Sequence, residues 1–172
     1  MKAAWYEKQG AARDVLVVGE MDDPQPSAGE VRIRIAFSGV NPGDVKKRED
    51  AFGVGMPYPR VIPHSDGSGT VDVVGDGVSP EWVGRRVWCY ASQSYRPFGT
   101  AAEYTVLPLK LVVPLPKGVP LEQGACLGIP GITLIGRFTS AVQSKEKRFS
   151  CKGALVRSEL VLSSLPIRRE RE

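Results

Sequence analysis

The sequence predicts a mainly β fold with short helices, arranged as a compact barrel. The 172 residues include 19 glycines and 14 prolines, and this density of chain-breaking residues favours short strands joined by turns. Hydrophobic residues make up 42% and charged residues 24%, proportions typical of one globular domain with a core. About seven short strand-like segments lie between the turns, a pattern typical of a small barrel.

The first predicted strands occupy the N-terminal third of the chain. AAWY begins a strand near Ala3, and DVLVVGEM at 14–21 is a second strand, closed by the turn sequence DDPQPSAG. In EVRIRIAFSGV, the apolar residues Val31, Ile33 and Ile35 alternate with arginines. This alternation predicts an antiparallel strand with one buried face.

A short helix and three further strands follow. NPGDVKKRED is predicted to be helical, because Asn41 can cap the helix and Pro42 suits its first position. SGTVDVVGDGV, RRVWCYA and TAAEYTVLP are predicted strands, and LVVPLPKGVP is expected to leave the sheet through its prolines. LEQGACLGIPGITLIG is predicted to begin helices.

The composition changes after Thr133. Residues 1–133 hold 13 of the 14 prolines and 17 of the 19 glycines and carry a net charge of −1, whereas residues 134–172 carry +5. We therefore predict one domain over 1–133 and an atypical basic tail over 134–172, aberrant or disordered. The body has no basic stripe with interleaved aromatics, so we expect no nucleic-acid partner.

The apolar runs and the cysteines indicate the cellular compartment of the chain. No apolar run approaches the roughly 20 residues that cross a bilayer, and the start MKAAWYEKQG lacks the apolar segment of a secretory signal. The three cysteines are few, odd in number and far apart, which favours reduced thiols. We expect a cytoplasmic protein without a membrane partner.

His64, the only histidine, lies in PYPRVIPHSDGSGTVDVV and allows three interpretations: metal ligand, catalytic base or turn residue. Zinc needs three or four converging ligands. The chain has no C-x-x-C pair, and Asp44 and Asp66 add only two candidate carboxylate ligands. A strained G-x-S-x-G nucleophile turn is also missing from the sequence. We expect no metal site and favour a turn histidine at the entry to a strand.

Five blocks in order carry a family resemblance: GVNPGDVKKRE, PYPRVIPHSDGSGTV, VGRRVWCY, GTAAEYTVLP and GACLGIPGIT. Together they resemble the N-terminal, GroES-like domain of the medium-chain dehydrogenase/reductase superfamily, nearest to the zinc-independent, zeta-crystallin-like quinone oxidoreductases. The resemblance covers residues 1–133 and implies a partial β-barrel. Asn41 stands where the zinc-dependent members have a cysteine, and a neutral amide anchors zinc poorly.

The resemblance also implies an activity and site residues. It implies direct hydride transfer from NADPH to a quinone or enone, without zinc. Asn41 matches an asparagine near nicotinamide and substrate, Tyr58 a tyrosine of the substrate cleft, and Thr133 a threonine that reaches the nicotinamide. Each also has a structural alternative: a helix cap for Asn41, a half-exposed aromatic residue for Tyr58 and a helix-start residue for Thr133.

The cofactor-binding half of such an enzyme is not recognisable. No G-x-G-x-x-G turn follows a predicted strand, although pyrophosphate binding requires close approach of backbone N–H groups. We therefore expect a truncated or frame-shifted chain that is inactive alone. The alternative is a non-enzymatic barrel that meets a partner, or a second copy, through an exposed apolar face including Leu127, Ile129 and Ile132.

Overall fold

The computed structural model describes residues 1–143 and 154–157, with side chains described for residues 1–136. The strands are β1 (Lys2–Trp5), β2 (Val17–Glu20), β3 (Glu30–Val40), β4 (Asp66–Val74), β5 (Arg86–Cys89), β6 (Tyr104–Pro108), β7 (Val112–Pro114) and β8 (Ala154–Arg157). The α-helices are α1 (Ala12–Val15), α2 (Pro42–Arg48), α3 (Leu121–Gly124) and α4 (Ile129–Gln143), and single 3₁₀ turns cover Pro80–Trp82 and Leu109–Leu111.

Most strands form one antiparallel sheet in the order β6-β3-β4-β5-β7. Strand β8 pairs with the far end of β3, where Val40 lies opposite Ala154. Strands β1 and β2 form a separate antiparallel pair. Within the described ranges β6 and β7 do not pair, so the sheet does not close, and the predicted class, mainly β with a partial barrel, is confirmed.

Strand β3 supplies the centre of the core. Val31 and Ile33 are fully buried and Ile35 is 5% exposed, whereas Arg34 on the other face is exposed. The predicted alternation is therefore confirmed. These side chains pack with apolar residues of β4, β5 and β6, and each fully buried aliphatic side chain contributes roughly 1.5–3 kcal/mol.

Glycine at position 69 of β4 has a packing reason. A Cβ atom placed on Gly69 would lie 2.0 Å from the backbone oxygen of Arg34 on β3. Pairing between β3 and β4 is irregular on both sides of this point, which draws the two backbones together. The Gly-Ser-Gly sequence at 67–69 therefore serves strand packing.

The structure corrects two predicted segments. DVLVVGEM does not form one strand: helix α1 takes up its first two residues, and β2 begins only at Val17. LVVPLPKGVP does not leave the sheet at once, because Val112–Pro114 pairs with β5 before the chain departs.

Helix α4 runs through the predicted domain boundary at Thr133. The rest of the predicted tail lies outside the described residues, except for β8. Among the helices of the described ranges, none is long and apolar enough to span a bilayer.

Candidate functional site

Asn41 is buried at the start of helix α2. It is 4% exposed and has extended backbone angles, while Pro42 occupies the first helical position. The Asn41 backbone N–H donates to Asp44 Oδ2 at 2.8 Å, as part of a capping box. The helix-cap interpretation of Asn41 is therefore confirmed, and it leaves the side-chain amide directed toward other elements.

That amide contacts Asp66, a residue to which sequence reasoning gave no role beyond a weak candidate zinc ligand. Asp66 begins β4 and is 1% exposed. Its Oδ2 accepts hydrogen bonds from Asn41 Nδ2 at 2.9 Å and from the Ile129 backbone N–H at 2.8 Å. An aspartate beside glycine and serine looks like a turn residue in sequence, and its partners lie 25 and 63 positions away.

The two carboxylates on either side of Asn41 are electrostatically unusual. Burial raises the pKa of Asp44 to about 6, and the negative charge of Asp66 adds to this rise. Burial also raises the pKa of Asp66, against the lowering effect of the hydrogen bonds from Ile129 and Asn41. Perturbed carboxylates that share one amide are typical of functional sites.

His64 lies two residues before Asp66, the first residue of β4, and has a left-handed backbone, φ +75°. Its Nδ1 lies 2.8 Å from Ser38 Oγ, which lies 2.8 Å from Thr100 Oγ1, and Thr100 Oγ1 donates to the Asp66 backbone oxygen at 2.6 Å. Since each hydroxyl has one hydrogen, Thr100 must accept from Ser38, and Ser38 must accept from His64. Nδ1 of His64 therefore carries a proton, and burial that lowers the pKa of His64 to about 4 keeps the ring neutral near pH 7.

Thr133 lies on helix α4, one turn after the Ile129 N–H that binds Asp66. Its side chain is exposed, as are those of its neighbours Ile132 (58%) and Ile135 (64%). Leu127 at the α3–α4 junction is 38% exposed. Asp66 thus connects Asn41 to the helix that carries Thr133, and an apolar surface surrounds Thr133.

Tyr58 lies elsewhere, in a cleft of about 390 Å³ lined by aromatic residues, including Tyr6, Phe52 and Tyr95. Tyr58 is half-buried, and Lys47 Nζ donates to Gln93 Oε1 at 2.8 Å in the cleft wall. Lys47 is six positions after Asn41 along α2, a rise of roughly 9 Å. The structure therefore places Tyr58 near the opposite end of α2 from Asn41.

The described residues bring together no group of three His, Cys, Asp or Glu side chains that could hold a metal ion. Cys89 is fully buried, and burial raises the pKa of its thiol. The site is thus built from an amide, two carboxylates and hydroxyl groups, and the absence of zinc stays a prediction.

Comparison with known proteins places this architecture in a family. Residues 27–117 match the alcohol dehydrogenase GroES-like domain. The quinone oxidoreductase of Mus musculus is 38% identical over 114 residues, which cover 64% of this chain and 32% of the mouse protein. The NADPH-dependent alkenal/one oxidoreductase of Arabidopsis thaliana is 30% identical over 135 residues, 76% of this chain and 34% of that protein.

Solved structures show the same relationship. A mycobacterial protein solved in complex with NADPH superposes with a TM-score of 0.71 and 28% identity, over 86% of this chain and 43% of that one. The chain spans about a third of the length of the curated relatives it matches. It belongs to the alcohol dehydrogenase GroES-like domain family, on the quinone oxidoreductase side of the medium-chain dehydrogenase/reductase superfamily.

Proposed function

We propose that residues 1–133 are the catalytic domain of an NADPH-dependent, zinc-independent reductase of quinones or enones. The observation that carries the proposal is the buried Asn41 amide, which one carboxylate connects to the helix bearing Thr133. The relatives' names support the substrate class, and the NADPH complex of a structural neighbour supports the cofactor. We propose a cytoplasmic location on the same grounds.

The nicotinamide end of NADPH fits the residues present. The Asn41 side chain, held by Asp66 and also hydrogen-bonded to Asp44, brings one polar group to this end of the site, and the exposed Thr133 hydroxyl provides another. Around Thr133, Leu127, Ile129 and Ile132 offer an apolar wall for a flat ring. The sequence shows no glycine-rich turn for the phosphates, so we propose that these 172 residues alone show little or no activity.

The mechanism follows from these positions. NADPH, when bound, supplies the hydride that reduces a quinone to a hydroquinone, or an enone to a saturated ketone, with a proton taken from solvent. Asn41 and Thr133 orient the ring by hydrogen bonds, and such positioning contributes a large part of rate enhancement in two-substrate reactions. The aromatic cleft at Tyr58 offers a stacking surface for a flat part of the acceptor, with Lys47 as a hydrogen-bond donor at its wall. Hydride transfer requires that the reacting carbon of the acceptor reaches the ring held at Asn41 and Thr133.

Reduced nicotinamide mononucleotide tests the cofactor half, because it carries the reactive ring without needing the missing phosphate site. Titration of the ¹⁵N-labelled chain should shift the Asn41 side-chain amide and the Thr133 backbone amide, with millimolar affinity. Asn41→Ala should abolish the shift at Thr133, whereas Gln25→Ala, an exposed amide variant distant in sequence, should leave it unchanged. No shift at either residue up to the solubility limit would overturn the proposal.

Duroquinone tests the acceptor half, since its ring methyl groups block addition of thiols such as Cys126. It should shift resonances of Tyr58 and Phe52 in the aromatic cleft. Shifts confined to other surfaces would remove the quinone from this cleft and leave the cofactor proposal standing.

The exposed apolar face favours a second candidate, a non-enzymatic domain that binds a protein partner or a second copy. Ile132 and Ile135 are more than half exposed, and isolated apolar patches of this kind often mark interfaces. Sedimentation of the chain with and without Ile132→Asp shows whether the chain is a monomer or associates with a second copy. If the wild type forms concentration-dependent dimers and Ile132→Asp is monomeric, association through this face is favoured.

A further inference from the structure

We propose that Asp66 is a positioning residue that fixes both the Asn41 amide and the start of helix α4, so that Asn41 and Thr133 face the nicotinamide together. The inference rests on the proposed function and adds to it the residue that makes two distant elements act as one site. Sequence reasoning assigned Asp66 no such part.

The geometry joins the two elements through one oxygen atom. Asp66 Oδ2 accepts from Asn41 Nδ2 at 2.9 Å and from Ile129 N at 2.8 Å. Ile129 opens the 15-residue helix α4, so the carboxylate lies at the end where the helix dipole is positive. Any displacement of Asp66 therefore moves both partners.

Asp66 itself cannot shift easily. Its backbone oxygen accepts from Thr100 Oγ1 at 2.6 Å, and Thr100 in turn accepts from Ser38. On the other side, a Cβ atom on Gly128 would lie 2.2 Å from Asp66 Oδ1, so the backbone before α4 packs directly on the carboxylate. Thr100 therefore fixes the backbone of Asp66, and the α3–α4 junction packs against its carboxylate.

The carboxylate also decides the orientation of the Asn41 amide. An ionised carboxylate only accepts hydrogen bonds, so the nitrogen end of the amide must face Asp66 and the oxygen end must face away. The amide is therefore held in one of its two orientations. One N–H is used by Asp66, and the side chain also hydrogen-bonds to Asp44, so the direction of the whole amide is fixed.

The second carboxylate oxygen argues for function over stability. Asp66 Oδ1 is buried and has no hydrogen-bond partner within the part of the chain that the structure describes. An unsatisfied buried oxygen costs stability, and such groups in native proteins call for an explanation. Control of the geometry of Asn41 and α4 explains why a carboxylate is kept there.

The test uses Asp66→Asn with Asp72→Asn as the matched control, because Asp72 lies on the same strand and pairs with Arg32. We expect Asp66→Asn to shift the Asn41 side-chain amide and the Ile129 backbone amide in ¹⁵N spectra and to weaken binding of reduced nicotinamide mononucleotide by about tenfold. Asp72→Asn should change neither. Unchanged affinity in Asp66→Asn, with the wild type binding normally, would overturn the inference and leave the proposed function intact.

A wild-type measurement covers the case in which Asp66→Asn fails to fold. During the same titration, the Asp66 ¹³Cγ resonance should move together with Asn41 Nδ2 and the Thr133 amide, while Asp72 ¹³Cγ stays fixed. Movement of Asn41 and Thr133 without Asp66 would overturn the positioning role. A wild type that binds no mononucleotide at all would overturn the proposed function, and the role of Asp66 with it.

Discussion

The cluster around Asp66 and the cleft around Tyr58 lie toward opposite ends of helix α2 and are built in opposite ways. Around Asp66, side chains are almost fully buried, and hydrogen bonds to Asn41, Thr100 and Ile129 fix their orientation. Around Tyr58, Tyr6 is buried, but two aromatic side chains of the cleft are exposed, with Phe52 57% and Tyr95 98% accessible to solvent.

The contrast separates two demands on one domain. A hydride acceptor and donor must meet within narrow geometric limits, which requires rigid, preorganised groups. A cleft for flat molecules of varied size works with adaptable aromatic surfaces. Substitutions in the Asp66 cluster should therefore cost stability, and substitutions in the Tyr58 cleft should change binding while stability stays nearly constant.

The largest expected effect comes from Gly128→Ala. The added methyl group would lie 2.2 Å from Asp66 Oδ1 and must displace either the carboxylate or the α3–α4 junction. We expect a loss of about 3 kcal/mol in the free energy of unfolding, measured by urea denaturation. Gly131→Ala is the matched control, because its Cβ would meet nothing closer than 3.8 Å, and it should gain up to about 1 kcal/mol. Equal stability of wild type and Gly128→Ala would mean that Asp66 is not tightly enclosed.

The next effect concerns the pH dependence of stability, where Asp44 and His64 act in opposite directions. The pKa of Asp44 is raised from 3.8 to about 6, so the folded state holds its proton more tightly, and stability falls as pH rises through this window. The pKa of His64 is lowered from 6.5 to about 4, so the folded state rejects the proton, and stability rises with pH over nearly the same window. Each contribution is about 3 kcal/mol over its window, and the two largely cancel.

Substitution of either group should reveal the other. Asp44→Asn should make the free energy of unfolding rise with pH between 4 and 6 by about 1.4 kcal/mol per unit relative to wild type. His64→Asn, which tolerates the left-handed backbone, should make it fall with a similar slope. Chemical denaturation at half-unit pH steps measures both slopes. Parallel curves for wild type and both variants would show that neither group titrates abnormally.

The sequence predicted what depends on neighbours along the chain. The alternation in β3 and the Asn-Pro start of α2 are local patterns, and both appear in the structure as expected. The division of DVLVVGEM and the pairing of β7 with β5 depend on contacts far along the chain, and there the predictions were wrong.

The site divides in the same way. Asn41, Tyr58 and Thr133 were found through a family resemblance, and their roles stay proposals. Asp66 was missed because its function depends on Asn41 and Ile129, which only the folded chain brings to one carboxylate. A short motif of small residues around an aspartate does not reveal burial.

The smallest expected effect lies in the Tyr58 cleft, at Tyr95. This residue is almost fully exposed and has a left-handed backbone, φ +58°, which costs a tyrosine roughly 1 kcal/mol and an asparagine less. Tyr95→Asn should therefore gain about 0.5 kcal/mol of stability and lose duroquinone affinity a few-fold, because a stacking ring is removed. Thermal unfolding and ring-resonance shifts of Tyr58 measure the two quantities.

Tyr95→Phe keeps both the ring and the backbone strain, so it should match the wild type in stability and in quinone affinity. The pair of variants separates the cost of the conformation from the use of the ring. If Tyr95→Asn gains stability and keeps its quinone affinity, the backbone of Tyr95 is strained but its ring does not bind the quinone. The Tyr58 cleft would then not be an adaptable binding site, in contrast to the rigid Asp66 cluster. Loss of affinity in Tyr95→Asn alone would show that the domain keeps a strained aromatic residue for the acceptor, as it keeps a buried, half-satisfied carboxylate for the amide.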